Sequence, residues 1–148
     1  DEFLSYLESG AASDAIIRCK DREFRVHKII IGARSHFFHH LFFTSGMREQ
    51  HESIVDLLDI EANAMFLFLK ALYSLNVDKD DSMDINAIIC LLEYSSRFQA
   101  EALGVIVEQY AIHLCIADIK IVDVLLPVAE AFNFTKLYEF CCNMKEFL

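Results

Sequence analysis

The sequence has no tryptophan, a single proline and only four glycines. The glycines are isolated, and none forms a glycine-rich turn between a strand and a helix, so a phosphate-binding loop is excluded. Clusters of lysine or arginine are also missing, and the formal net charge is −10. Because nucleic acids and anionic membrane surfaces attract basic proteins, we expect this chain to bind neither.

Long apolar runs and a disulfide framework are missing as well. No run of apolar residues reaches the roughly 18 that a transmembrane helix needs, and no signal-peptide pattern occurs. The five cysteines are an odd number without framework spacing, which favours free thiols in a reducing compartment. We therefore expect an intracellular protein, cytoplasmic or nuclear. Because the chain begins at Asp1 rather than methionine, we also expect it to be part of a longer protein.

Apolar side chains are what the sequence has in excess. They make up 55% of the 148 residues, above the roughly 45–50% that is usual in soluble domains. A chain of this length is most simply one domain, with a core large enough to fold without disulfides or a metal ion. Part of the apolar excess should therefore lie on a surface that another protein covers.

The periodicity of the first half predicts a small sheet. Residues 13–20 and 22–27 are typical of two strands joined by a tight polar turn. Residues 53–60 alternate imperfectly and predict another strand. Residues 29–33 are short and apolar, and they fit either a helical turn or a further strand.

Helical periodicity dominates the rest of the chain. Ser35 is a good N-cap for a helix that ends near Gly46. Pro127 lies inside a predicted helix, so we expect a kink or a late start there. Strands followed by helices in succession predict an α+β fold. Further helices are predicted over residues 2–8, 63–74, 85–98, 102–116, 118–132 and 134–148, and a polar loop over residues 78–84.

Two groups of polar residues raise the alternative of a metal or catalytic site. His36 and His40 have the spacing of metal ligands on a helix, but the apolar residues opposite them favour a solvated polar face. His27 and Ser35 could act as base and nucleophile, although a hydrogen-bonded buried histidine and a helix cap explain them better. We therefore expect no enzyme activity, cofactor, metal ion or small-molecule substrate.

Residues 13–74 contain a succession of motifs. A Ser-Asp pair precedes an apolar strand, and a polar turn leads to Phe-x-Val-His-Lys, an apolar triplet, Ala-x-Ser and paired aromatic residues. A Met-x-Glu loop and a Leu/Phe-rich helix that ends in tyrosine follow. In combination these motifs resemble the BTB/POZ domain, and the helices of residues 85–116 follow the order of that family. The resemblance implies a BTB/POZ domain over residues 1–116, with an N-terminal dimerisation helix in residues 1–10.

The remaining segment, residues 117–148, resembles the paired helices that extend the BTB domain in cullin-recruiting adaptors. Any amphipathic helical hairpin would show similar spacing. Within the family a second role stays open, that of the oligomerisation head of a transcriptional regulator whose groove binds co-repressor peptides. The matching positions form an Ala-Glu-x-aromatic segment and a Leu-x-x-x-Cys helix, namely Ala129, Glu130, Phe132, Leu137 and Cys141.

The resemblance also implies a cullin-binding surface. In cullin-binding members a hydrophobic-x-Glu motif follows the aromatic helix, and Met47-Arg48-Glu49 matches it. Phe43 and Tyr73 are further candidates for this contact. The segment ahead of Met47 is one residue longer than the family leads us to expect, around Phe43. Such an insertion could displace the loop and weaken the cullin contact.

A homodimer is the other implication of the resemblance. The first helix would present Phe3, Leu4 and Leu7 to a second copy. Asp14 and Lys28 match the family positions that form a charged pair at the base of the dimer groove, where each should neutralise the other. Both could instead be ordinary surface charges. The resemblance thus implies a homodimeric adaptor that recruits a cullin scaffold for substrate ubiquitination and does no chemistry itself.

Overall fold

The computed structural model describes residues 2–77 and 83–147 of the chain. Most of the predicted polar loop, residues 78–82, lies outside these ranges. The described residues form a three-stranded sheet and a succession of helices around one hydrophobic core, which is the predicted α+β class. Within the same ranges, no helix is both long and apolar enough to cross a lipid bilayer.

The small sheet contains the three predicted strands. The central strand pairs antiparallel with the strand that follows it and parallel with the last one. The last strand is shorter than predicted because the chain turns back after it, with the Ile60 N–H donated to the Leu57 carbonyl. In chain order the strands are β1 (Ala15–Arg18), β2 (Glu23–Val26) and β3 (Ile54–Asp56), and β1 lies in the centre.

Short helices connect these strands. The apolar segment after β2 is helical, which decides between the two alternatives for residues 29–33. The segment after Met47 is a correction, since a loop is predicted there and the chain forms a short helix instead. The bounds are α1 (Glu2–Ser9), α2 (Lys28–Arg34), α3 (His36–His39) and α4 (Arg48–Glu52), with a π-helical turn (His40–Thr44) that continues α3.

The described part of the C-terminal half consists of helices joined by short turns, as predicted. The helix that contains Pro127 begins at Ile121 rather than at residue 118, and Pro127 is its seventh residue, so the helix does not start late at Pro127 as expected. Asn133 adopts a left-handed conformation, with φ of 62°, and separates the last two helices. The bounds are α5 (Ala62–Ser74), α6 (Ile85–Arg97), α7 (Glu101–Ala117), α8 (Ile121–Ala131) and α9 (Thr135–Glu146).

An aromatic cluster in the core joins α3 to α5 and to the end of α6. Phe38, Phe68 and Phe98 are fully buried. The Phe98 ring centroid lies 5.2 Å from that of Phe38 and 5.4 Å from that of Phe68. The Ser35 hydroxyl accepts the Phe38 N–H at 3.2 Å and donates to the Phe98 carbonyl. The predicted N-cap is thus confirmed, and it also ties the start of α3 to the end of α6.

The helices α8 and α9 belong to the same core. Leu137 and Cys141 of α9 have no exposed surface. The N-cap residue of α9 is Phe134, which offers no capping side chain. The carboxylate of Glu108 on α7 accepts the Leu137 N–H at 3.1 Å in its place. Because a negative charge is favourable at a helix N-terminus, Glu108 helps to hold the C-terminal helix pair on α7.

Candidate protein-interaction surfaces

His27 lies buried directly after β2, with its ring between those of Tyr6 and Tyr73. Its Nε2 is 2.6 Å from the Ala11 carbonyl oxygen, which can only accept, so Nε2 carries the proton. Its Nδ1 is 2.9 Å from the Tyr73 hydroxyl, with which it forms a second hydrogen bond. The same hydroxyl accepts the His27 backbone N–H at 2.9 Å. Both ring nitrogens serve structural hydrogen bonds, which confirms the structural interpretation of this histidine.

Tyr73 is a correction to the predicted cullin contact. Its side chain has no exposed surface, so a partner protein cannot reach it in this conformation. Burial raises the pKa of Tyr73 to about 12, since the charged phenolate is poorly solvated there. The side chain holds His27, and the Tyr73 carbonyl accepts a hydrogen bond from Arg34. The tyrosine of the motif is therefore a structural residue.

The histidines of α3 and the π-helical turn point to solvent. His36 and His40 are both exposed, and His40 Nδ1 lies 2.9 Å from the Thr44 hydroxyl. Among the residues that the structure describes, no three His, Cys, Asp or Glu side chains are grouped to hold a metal ion. In α9, burial raises the pKa of the Cys141 thiol, which opposes the thiolate form that a metal would need.

The exposed faces of α1 and α2 form an apolar groove of about 470 Å³, which we call the α1–α2 groove. Ile29, one of the residues that line the groove, is 76% exposed. A large apolar side chain left this exposed marks a surface that a partner can cover. Residues that line the groove include Phe3, Tyr6, Ile29, Ile30, Ala33 and Arg34.

The three predicted dimer residues of α1 do not share one environment. Phe3 lines the α1–α2 groove, where its ring centroid is 5.4 Å from the guanidinium carbon of Arg34. Leu4 is partly buried against the core. Leu7 is 7% exposed and belongs to the core of its own chain, because α1 needs this side chain to pack on the domain. The assignment of Leu7 to the dimer interface is therefore corrected.

Asp14 and Lys28 meet through the backbone of α2. The Asp14 carboxylate accepts the Lys28 N–H at 2.8 Å, at the helix N-terminus where a negative charge is favourable. Within the described ranges no ion pair joins the two side chains, and Lys28 Nζ lies 5.9 Å from the Phe42 ring centroid. In the single chain Asp14 is a cap of α2, and the charged pair of the dimer groove stays a prediction.

A second exposed patch lies where the π-helical turn leads to α4. Phe43 is 43% exposed and Met47 is 49% exposed, with Glu49 in the first turn of α4 beside them. We call these three residues the Met47 surface. The Phe43 ring centroid is 5.2 Å from that of His39. The ring also lies so close to Gly32 that a Cβ there would come within 2.9 Å of it, so Gly32 lets Phe43 lie on α2.

The turn between Phe43 and Met47 is held by side-chain hydrogen bonds. Gly46 adopts a left-handed conformation, with φ of 69°, which favours glycine. Its N–H donates to Gln50 Oε1 at 2.6 Å, and Gln50 Nε2 donates to the Phe43 carbonyl at 3.1 Å. The Ser45 hydroxyl accepts the Met47 N–H at 3.1 Å. These bonds set the position of Phe43 relative to Met47.

Arg48 and Glu49, the other predicted residues of the motif, differ in their surroundings. Arg48 donates to Glu52 at 2.7 Å and to Asp56 at 3.2 Å, which joins α4 to β3. These groups are partly exposed, so each pair contributes little stability. The Glu49 side chain has no hydrogen bond or ion pair within the part of the chain that the structure describes. Glu49 is therefore available to a partner, whereas Arg48 braces α4.

The π-helical turn lies where the extra residue is expected. A π-helix closes i→i+5 hydrogen bonds and occurs mostly as a single turn within an α-helix. One additional residue can therefore be contained in a wider turn without ending the helix. The turn covers His40–Thr44 and includes Phe43. A turn of this kind would accommodate the expected extra residue without lengthening the connection to α4.

The model of the BTB/POZ domain family matches residues 3–114. The chain belongs to the BTB/POZ family. BTB/POZ domains of this kind are protein–protein interaction modules rather than enzymes, and exposed apolar surfaces are consistent with that role.

Relatives of this BTB/POZ chain carry kelch names. It is 29% identical to Kelch-like protein 40b of Danio rerio over 154 aligned positions, which cover 100% of this chain and 25% of that protein. It is 29% identical to Kelch repeat and BTB domain-containing protein 4 of Mus musculus, over 67% of this chain and 20% of the relative. It is 28% identical to Kelch-like protein 41 of Mus musculus, over 74% of this chain and 17% of that protein. The chain spans a quarter or less of the length of these relatives.

Sequence reasoning missed three residues of the BTB/POZ surfaces. Tyr6 and Ile29 line the α1–α2 groove. The sequence indicates that Ile29 is exposed only if residues 29–33 are taken as helical, because Ile31 is then the buried residue of the apolar triplet. Gln50 holds the turn of the Met47 surface. The sequence feature that could have identified it is its position as the third residue of a helix. In a capping box, a glutamine at this position reaches back to the backbone that precedes the helix.

Proposed function

We propose that this BTB/POZ chain is the homodimerising head of an adaptor that recruits a cullin scaffold to a ubiquitin ligase. The Met47 surface is the observation that carries the proposal. Two large apolar side chains, Phe43 and Met47, are held half exposed by a hydrogen-bonded turn, and a partner would bury them. The BTB/POZ domain itself would do no chemistry.

The chemistry of the Met47 surface suits an apolar pocket with a polar rim. An unbranched methionine adapts its shape to a partner, while the ring of Phe43 is rigid and already positioned against α2. Glu49 supplies a carboxylate without an intrachain partner among the described residues, which a partner amide or helix N-terminus could engage. Arg48 would act indirectly, by keeping α4 on β3.

We further propose a BTB/POZ domain over residues 1–116 and a cullin-binding helical extension over residues 117–148. The packing of α9 on α7 through Glu108 supports a fixed position for this extension. One relative is named for kelch repeats and others are named Kelch-like, and we propose that a kelch-type region of a longer protein presents the substrates for ubiquitination.

Direct binding to a purified cullin N-terminal domain tests the proposal. Calorimetry should detect a complex with a dissociation constant below about 30 μM, which corresponds to roughly −6 kcal/mol. Replacing Glu49 by lysine should weaken this complex and lower the melting temperature only slightly, because the Glu49 side chain makes no hydrogen bond or ion pair within the described residues and contributes only a favourable charge to the first turn of α4. If no complex forms at tens of micromolar, the cullin proposal is wrong.

A second candidate is the oligomerisation head of a transcriptional regulator that binds co-repressor peptides. The α1–α2 groove favours it, since its apolar lining and volume of about 470 Å³ suit the side chains of an extended peptide. If the chain binds co-repressor peptides but binds no cullin, this second candidate is favoured over the first.

In the first proposal the homodimer forms through the α1–α2 groove, so the peptide of the second candidate would compete with a second copy for this surface. Light scattering at micromolar concentration should give about twice the chain mass of 17.0 kDa. Replacing Ile29 by aspartate should shift the chain to monomer, because a charge on this exposed side chain would have to be buried in the dimer. The fold should tolerate it, since Ile29 lies in the first turn of α2, where an acid is favourable.

Leu58 supplies the control for the dimer experiment. It is 62% exposed and lies after β3, outside the groove. Leu58→Asp should leave the dimer unchanged. A monomer in the unmodified chain, or an Ile29→Asp dimer as stable as the original, would contradict the use of this groove.

A further inference from the structure

We propose that Gln50 is the positioning residue of the Met47 surface and sets its affinity for a cullin without being the principal contact. This inference rests on the proposed function. Its carboxamide bridges the two ends of the turn, accepting the Gly46 N–H at 2.6 Å and donating to the Phe43 carbonyl at 3.1 Å. One side chain therefore links the backbone of Phe43 to the residue directly before Met47.

The turn depends on this bridge because the backbone of Gly46 does not fix its own conformation. Gly46 has a left-handed conformation, which a glycine reaches without strain and also leaves without strain. The Ser45 hydroxyl secures Met47 on one side by accepting its N–H. Gln50 secures the other side, across the turn. Without it, Phe43 and Met47 would still be exposed, but their separation would no longer be set.

The type and length of the Gln50 side chain both matter. The bridge needs an acceptor for the Gly46 N–H and a donor for the Phe43 carbonyl, and a primary amide supplies both. Glutamate keeps the acceptor but brings a negative charge to the carbonyl. Methionine keeps the length and removes both hydrogen bonds. Gln50 is the third residue of α4, so its backbone is fixed by the helix and its side chain can reach back.

A looser turn lowers affinity because a partner must then order it on binding. Immobilising flexible side chains on binding costs free energy, and the turn carries two of them, Phe43 and Met47. We therefore expect Gln50→Met to weaken cullin binding about tenfold, which is about 1.4 kcal/mol. Gln50→Glu should weaken it less, about threefold, because it keeps the bond to Gly46.

The experiment combines amide exchange with binding. Exchange of the Gly46 amide, followed by nuclear magnetic resonance, should be about tenfold faster in Gln50→Met and unchanged in Gln50→Glu. Calorimetry with a cullin N-terminal domain gives the affinities. His51→Ala is the control, since His51 is exposed and its side chain has no hydrogen bond among the described residues. The melting temperature should stay within about 2 °C in all variants.

A second comparison separates positioning from simple destabilisation. In a Met47→Asp background, Gln50→Met should cause no further loss of affinity, since there is no longer a methionine to position. A general loss of stability would instead add to the effect.

The outcomes are distinct. Faster Gly46 exchange with unchanged cullin affinity overturns the inference and leaves the proposed function intact. Unchanged Gly46 exchange in Gln50→Met overturns the bridge itself. If the unmodified chain binds no cullin, the proposed function fails and the inference about affinity fails with it, while the exchange rates still decide the bridge.

Discussion

Replacing Met47 by aspartate is expected to lower the affinity for a cullin N-terminal domain by at least about a hundredfold. The change removes an adaptable apolar side chain from the contact and places a carboxylate where an apolar pocket is expected. Desolvating an ionised group without a compensating partner costs several kcal/mol, and a hundredfold is about 2.7 kcal/mol. Isothermal titration calorimetry measures the difference directly.

The fold should tolerate this substitution because of the place of Met47. The side chain is half exposed, and the residue is the N-cap of α4, where methionine offers no capping group. Aspartate is among the preferred N-cap residues, worth about 0.5–1 kcal/mol over an apolar one. The melting temperature should therefore be unchanged or slightly higher, so a loss of binding cannot be attributed to unfolding.

Two control variants accompany Met47→Asp. Met47→Leu should keep the affinity within about threefold, because size and apolarity are retained. Leu58→Asp places the same charge on an exposed apolar residue elsewhere and should not affect binding. If Met47→Asp binds as tightly as the unmodified chain, Met47 does not form the contact.

The second large effect concerns stability. Tyr73→Phe removes the hydroxyl that bonds both the Nδ1 and the backbone N–H of His27, in a fully buried position. Leaving buried polar groups without partners costs about 1–3 kcal/mol each. We expect the free energy of unfolding, measured by urea denaturation, to fall by about 2–4 kcal/mol. The melting temperature should fall by roughly 5–10 °C for a domain of this size.

The same hydroxyl predicts a dependence on alkaline pH. Burial raises the pKa of Tyr73 from its ordinary value near 10 to about 12, so the folded state favours the neutral phenol. This contribution to stability is present below pH 10 and is lost as the pH rises through about 12. The stability difference between the unmodified chain and Tyr73→Phe should therefore shrink as the pH is raised from 10 to 12.

Tyr94→Phe is the matched control for Tyr73→Phe. Tyr94 is also buried, but its hydroxyl makes no hydrogen bond among the residues that the structure describes. Its removal should change the free energy of unfolding by less than about 0.5 kcal/mol. Equal losses in the two variants would show that the loss of a tyrosine hydroxyl in general, and not of the His27 network, accounts for the effect.

Local patterns predicted most of the fold. Alternating apolar residues located all three strands, and Ser35 was identified as a helix cap because the N-cap position selects its chemistry. The π-helical turn and α4 were not predicted. Neither has a strong local pattern, because a π-helical turn is a variation within a helix and a five-residue helix is too short to show periodicity.

The site residues were predicted less well than the fold. Leu7 and Tyr73 are apolar or aromatic and were assigned to interfaces, yet both belong to the core. Apolarity alone does not say whether a side chain meets its own chain or another one, since both environments remove it from water. Ile29 shows the opposite case, an apolar residue that the rotation of α2 turns outward.

The sequence by itself determined the α+β class, the BTB/POZ resemblance and the region of the Met47 surface. These follow from residue order and short-range periodicity, which act between neighbours along the chain. Only the tertiary structure decided that Tyr73 is buried on His27, that Glu108 caps α9 and that Gln50 spans the turn before Met47. The positions of Tyr73 and Glu108 depend on contacts between residues distant in sequence. The position of Gln50 depends on a short helix where a loop was expected. These contacts therefore form only when the helices and strands pack together.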